Sequence, residues 1–126
     1  MNSRNALVSP LPTSVLDTLR RAKKLIFKRE NWTQRAFARD ANDDNVEARS
    51  PGAVKWCMLG AVWNVIPHDV ADKSKFHNSL RSGAMNLLYE AIDQNYTLQH
   101  YNDTHEHKDI LLMFDVAIQL AGGPPR

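Results

Sequence analysis

The stretch Ser50-Pro51-Gly52-Ala53-Val54-Lys55-Trp56-Cys57-Met58-Leu59-Gly60-Ala61-Val62-Trp63-Asn64-Val65-Ile66 decides the fold class. Serine is a favoured helix N-cap, because its hydroxyl accepts a hydrogen bond from a free backbone N–H of the first turn. Proline suits the first helical position, where its missing N–H has no partner to lose. Pro67 follows the stretch, and a proline ring disfavours helical backbone at the residue before it. A helix over residues 51–66 is therefore expected. Its apolar side chains, from Ala53 and Val54 through Trp56, Cys57 and Met58 to Val65 and Ile66, cover nearly every face. Such a helix is surrounded by others. It is too short for a bilayer, which takes about 20 residues. Gly60 costs a helix interior up to about 1 kcal/mol against alanine. The usual return is the close approach of a neighbouring helix or a large ring.

Outward from this segment the periodicity is helical. Before it, Thr13 or Ser14 caps a helix to about Glu30, with Leu16, Leu19, Ala22, Leu25 and Ile26 inward. A short helix over residues 33–39 can turn Ala36 and Phe37 inward, with Trp32 at its start. Residues 40–49 are rich in Asp and Asn and are expected to form a loop. After it, Phe76, Leu80, Ala84, Leu87, Leu88, Ala91 and Ile92 stripe a helix over about residues 73–95. Residues 96–104 are expected to be irregular, with a brief strand conceivable at Tyr96-Thr97-Leu98. A last helix spans about residues 106–121, started by Asp103 or Thr104 and ended by Gly122, since glycine accepts the left-handed cap conformation. The expectation is an all-α fold: a compact four- to five-helix bundle around the central helix. Residues 1–12 are expected to be a flexible arm, 13–122 one helical domain, and 123–126 a tail.

Composition sets limits. The chain has 126 residues, 43% of them hydrophobic, enough for one core. The start lacks the basic, apolar and small-residue pattern of a signal peptide, so a cytoplasmic location is the default. No membrane segment is evident. The single cysteine, Cys57, allows no internal disulfide and no cysteine-based zinc site. Net charge is +2, from 16 basic and 14 acidic side chains, too even to argue for nucleic acid alone.

Three stretches occur together: Trp32-Thr33-Gln34 with Ala38-Arg39-Asp40; Ala53-Val54-Lys55-Trp56-Cys57-Met58-Leu59-Gly60-Ala61; and Tyr101-Asn102-Asp103 leading to Asp109-Ile110-Leu111 and on to Ala121. Their order and spacing resemble an uncharacterised family of small helical proteins of bacteria and their phages. The resemblance covers roughly Leu16 to Ala121, and its most specific part is the Trp-Cys-x-x-Gly-Ala core. Tyr101 stands where tryptophan is common in that pattern, and Asn31 where glycine is. The resemblance implies a helical fold and no activity.

Four groups of residues bear on function. Cys57 could be a nucleophile if a histidine activated it, with Asn102 or Asp103 beside His100 and His105. Its apolar neighbours, and a place about two turns into the helix, favour a buried thiol acting as a small hydrophobe. The run His100 to Asp109 holds possible metal ligands, with Asp103 and His107, or His105 and Asp109, on one helix face. A plain helix N-terminus accounts for it better, and no metal or cofactor is implied. Arg39 and Asp40 lie near Trp32 in sequence. A small-molecule cleft would sit among Trp32, Arg39, Asp40, Trp56, Cys57, Asn102 and Asp103. Arg20, Lys24 and Lys28, spaced four apart with Arg21, Lys23 and Arg29 beside them, would form a basic stripe on the first helix, open to phosphate or an acidic protein. The leading expectation is a non-catalytic accessory protein that binds another macromolecule, a protein partner, conceivably a phage product acting on a host component. The alternatives are a small-molecule binder or enzyme using that cleft, and nucleic-acid binding through the basic stripe.

Overall fold

The computed structural model describes residues 12–66, 75–93 and 95–123. Among them are five α-helices and a small antiparallel sheet, so the fold is mixed α and β and the all-α bundle expected from the sequence is wrong. In chain order come α1 (Val15–Leu25), β1 (Ala38–Asp40), β2 (Asn45–Val46), β3 (Ala53–Trp56), α2 (Met58–Val65), α3 (Lys75–Ala91), α4 (Leu98–Thr104) and α5 (His107–Leu120). A single 3-10 turn, Arg29–Asn31, precedes β1.

The segment that misleads is Ser50-Pro51-Gly52. It makes a turn, not a helix start: Ser50 Oγ accepts from Gly52 N–H at 3.3 Å, and Ala53 N–H donates to Ser50 O at 3.0 Å. A serine hydroxyl that reaches back to a nearby N–H closes turns as readily as it caps helices. The chain leaves this turn extended, as β3. It pairs with β1, Ala38 opposite Trp56 and Arg39 opposite Lys55, with a bulge between Arg39 and Asp40. Strand β2 pairs with β1 on the other side, giving the order β2-β1-β3. The short helix expected over residues 33–39 is absent. Arg35 sits in the left-handed region (φ 65°), which breaks any helix there, and Ala38 begins β1. Phe37, expected inward, is 46% exposed. The loop expected over residues 40–49 contains β2.

Helix α2 begins only at Met58, with Cys57 as its N-cap. It packs on α1, α3 and α4, and Met58, Ala61 and Val62 are fully buried. Trp56, at the end of β3, is 9% exposed, whereas Trp63 on α2 is 37% exposed, so the expected burial of both rings fails at Trp63. Around α2 the core gathers Leu19 and Ala22 of α1 with Ile26 just after it, Leu88 of α3, and Ile110 and Phe114 of α5. Pro12 is also buried. The remainder of the expected N-terminal arm, the connection at residues 67–72 and residues 124–126 lie outside the described residues.

Helix ends follow side-chain chemistry. Ser14 caps α1 through Asp17 N–H at 3.0 Å. The helix stops at Leu25 rather than near Glu30, and the Ile26 carbonyl is taken by His107 Nε2 at 2.7 Å. The Tyr96-to-Thr104 region is not irregular: Thr97 caps α4, its Oγ1 accepting from His100 N–H at 3.0 Å. Helix α5 is capped by Glu106 in a reciprocal box with Asp109, not by Asp103 or Thr104. Gly122 (φ 96°) follows its end in the left-handed conformation.

Candidate functional site

Asn102 is the centre of the polar residues singled out above. It lies on α4 and is fully buried. A buried side-chain amide must satisfy its donors and its acceptor or lose about 1–3 kcal/mol for each group left open. Asn102 does so across three segments. Its Oδ1 accepts from the Trp32 indole N–H at 2.8 Å and from Met58 N–H at 3.0 Å. Its Nδ2 donates to Thr33 O at 3.0 Å and to Asp103 Oδ1 at 3.3 Å. The Met58 N–H is one that the helix itself leaves without a partner at its first turn. Asn102 thus joins the turn after α1, the start of α2, and α4.

The neighbours repeat the pattern. Gln34 Nε2 donates to Asn102 O and His105 O, each at 3.0 Å. Asp103 Oδ1 accepts from Arg35 N–H at 2.7 Å, which holds Arg35 in its left-handed conformation. Arg39 Nε donates to Thr33 Oγ1 at 3.0 Å and Nη2 to Gln34 O at 3.1 Å. Its Nη1 donates to Asn45 Oδ1 at 2.7 Å. Asp40 is turned to the β1–β2 turn, its Oδ1 accepting from Asn42 N–H and Asp44 N–H. Trp56 is fixed elsewhere, its indole N–H donating to Ala48 O at 2.8 Å. Of the seven cleft candidates, Trp32, Asn102 and Asp103 meet directly, Arg39 braces the same turn, and Asp40 and Trp56 serve other contacts.

Cys57 stands in an unexpected position. It is at the N-cap of α2 rather than two turns inside a helix, and its Sγ accepts from Gly60 N–H at 3.2 Å. A helix N-terminus usually favours thiolate. Burial outweighs that here: it pushes the thiol from 9.0 up to about 11, with the Asp103 charge adding to the rise and the Gly60 and Leu59 N–H groups opposing it. The protonated thiol predominates at neutral pH. His105 and His107 turn elsewhere. His105 stacks on Tyr101 with ring centroids 3.7 Å apart, and its Nδ1 lies 2.9 Å from Tyr101 O. His107 Nε2 faces a carbonyl that can only accept, so that nitrogen carries a proton. Among the described residues no group of three or more His, Cys, Asp or Glu is placed to hold a metal ion.

Cys57 and Asp103 both line an open cleft of about 730 Å³, with Arg35, Phe37, Glu47 and Gln99 among its other residues. Phe37 also borders a mainly apolar pocket of about 260 Å³ with Glu47, Ala48, Arg49 and Trp63. Trp32 lies in a separate groove of about 520 Å³ with Arg29 and Lys55. Gln34, Arg35, Phe37, Lys55 and Trp63 are not among the site candidates of the sequence reading: Gln34, Arg35 and Phe37 act from a loop that no periodicity marks, and the placing of Lys55 on β3 and the exposure of Trp63 on α2 are set by tertiary packing. The expected basic stripe is interrupted. Arg20 and Lys24 are exposed on α1, but the helix ends before Lys28, while Arg21 pairs with Asp17 and Lys23 is buried against Asp115. No helix among the described residues is long and apolar enough to cross a membrane.

Residues 10–120 match the model of a family of unknown function, DUF6197, and the chain belongs to that family. No curated protein and no solved structure matches the chain.

Proposed function

We propose that this member of a family without an assigned activity is a non-catalytic binding protein whose partner is another protein, docked on the surface around Phe37 and Trp63. The observation that carries the reading is the exposure of these two aromatic side chains, 46% and 37%, on the border of one apolar pocket. Burying the part of each ring still exposed contributes on the order of 1 kcal/mol on association, about half the value for a fully exposed ring. Exposed aromatics beside arginine are the usual composition of a binding hot spot. Arg49 and the exposed Glu47 line the pocket, and the Arg81 guanidinium lies over the Trp63 ring at 4.7 Å, so cations outnumber the one carboxylate there. Arg49 and Arg81 lie near enough for the Arg49 charge, after burial, to lower the Arg81 pKa. A partner that offers an aliphatic side chain to the pocket and a carboxylate to this arginine pair fits both features.

The protonated, nearly buried Cys57 and the saturated bonding of Asn102 also support binding over covalent chemistry. The test is capture of a partner by the immobilised chain, compared with Phe37→Ala and Trp63→Ala. We expect a partner held by the parent and weakened about tenfold or more by each variant, with unfolding midpoints little changed. A chain that stays monomeric and partnerless, or a partner held equally by both variants, contradicts the proposal.

A second reading is favoured by the cleft over Cys57. Its strained Arg35, and the Asp103, Glu47 and Arg35 side chains around an apolar floor, suit a small zwitterionic ligand. Saturation of the Arg35 and Gln99 NMR signals by such a ligand would favour it.

A further inference from the structure

The groove beside Trp32 is separate from the surface just described. It is bordered by Arg29, Glu30, Trp32, Thr33, Gln34 and Lys55. Its positive charge is only partly compensated, by exposed carboxylates. Arg39 and Lys55 are directly opposite on β1 and β3, a like-charge cross-strand pair that disfavours the sheet. Arg39 directs its guanidinium to four neutral acceptors, Thr33 Oγ1, Gln34 O, Asp43 O and Asn45 Oδ1, so it adds positive charge with no carboxylate among those partners. The ammonium of Lys55 is 3.4 Å from Asp43 Oδ1, but both groups are exposed, and such a contact is weak and easily displaced. Arg29 belongs to none of the ion pairs among the described residues. Glu30 is the one carboxylate on the border, and it is exposed.

Trp32 gives the groove a fixed aromatic wall. Its indole N–H is held by Asn102 Oδ1, and the His107 ring packs against it at 5.5 Å, so the ring cannot swing away. It remains partly exposed. A rigid, partly exposed ring beside two available cations has the make-up of a site that pairs a phosphate with a flat base.

From this placement we infer that the groove binds a nucleoside phosphate, free or within a single strand, with the phosphate between Arg29 and Lys55 and the base against Trp32. Arg39 contributes mainly long-range attraction, since four of its five N–H groups are already used. The inference moves the basic reading from the face of α1 to the other end of that segment, where an aromatic ring accompanies the charge.

The test uses the full chain with three probes: adenosine monophosphate, inorganic phosphate and a fluorescein-labelled oligothymidylate. The readouts are the Trp32 indole NMR signal and fluorescence anisotropy. A shift of that signal by the mononucleotide, larger than with inorganic phosphate, supports a free nucleotide as ligand. A shift with the oligonucleotide alone supports a strand. In both cases binding weakens as salt rises, and Arg29→Gln with Lys55→Gln lowers affinity about tenfold. Arg29 is exposed and Lys55 is partly exposed with only a surface ion pair, so the variant keeps its fold, which its NMR spectrum verifies. An unmoved Trp32 signal with every probe, or a double variant that binds as the parent does, overturns the inference. Neither result bears on the Phe37 and Trp63 surface.

Discussion

Cys57 shows how environment decides the character of one residue. As N-cap of α2 it accepts the Gly60 N–H, a contact that favours negative charge, yet enclosure keeps the thiol protonated with its pKa pushed up to about 11. The consequence is a pH dependence of known sign. A folded-state pKa above the unfolded value means the folded chain holds the proton more tightly. The stabilisation is therefore whole below about pH 9 and is lost as pH rises through about 11. Two pH units correspond to about 2–3 kcal/mol. Serine at this position keeps a capping oxygen and does not titrate. We expect the parent to lose about 2–3 kcal/mol more than Cys57→Ser between pH 9 and 11 in urea unfolding. Parallel losses in the two proteins would show that the thiol is not enclosed.

At the scale of elements, the junction of β3 and α2 is organised by the Phe37 carbonyl. It accepts from Cys57 N–H at 3.2 Å and lies so close to Gly60 that an added Cβ would be 2.0 Å from it. The close approach that Gly60 announces is thus to a backbone oxygen, rather than to the helix or large ring expected. Gly60→Ala must push the residue 34–37 turn away, at a cost of about 3 kcal/mol or more. Gly52→Ala, whose nearest non-neighbouring atoms would lie at 3.9 Å, is the control and costs little. Equal unfolding midpoints for the two variants would refute the packing described.

The same junction explains what was legible. The start of α1 and the bodies of α3 and α5 are plain in the sequence, the first from its serine cap and the others because regularly spaced apolar residues face one core. The sheet was hidden for local reasons. Ser50-Pro51 carries a helix-start pattern whose hydroxyl closes a turn, Cys57 is outside the usual set of capping residues, and Arg35 adopts a positive φ without being glycine. Strand pairing between residues 38–40 and 53–56 is a long-range choice that no short window records. Of the polar site, Trp32, Asn102 and Asp103 could be singled out as residues. Their shared target, the free N–H at the start of α2, could not, because that start was misplaced.

At the scale of the molecule, the chain spends its most distinctive polar residues on holding segments together. Asn102 ties α4 to α2 and to the turn after α1, Arg39 ties that turn to the strands, and Lys23 with Asp115 ties α1 to α5. What remains for partners is surface: the aromatic pair Phe37 and Trp63, and the cationic groove at Trp32. Hydrogen exchange of the Trp32 indole N–H and the Met58 amide, both bound to the one oxygen of Asn102, tests this most directly. The account predicts that both exchange only through global unfolding, at one common rate that tracks overall stability as urea is added. Fast exchange of either, independent of urea, would contradict it and would make the polar residues around Asn102 an open site.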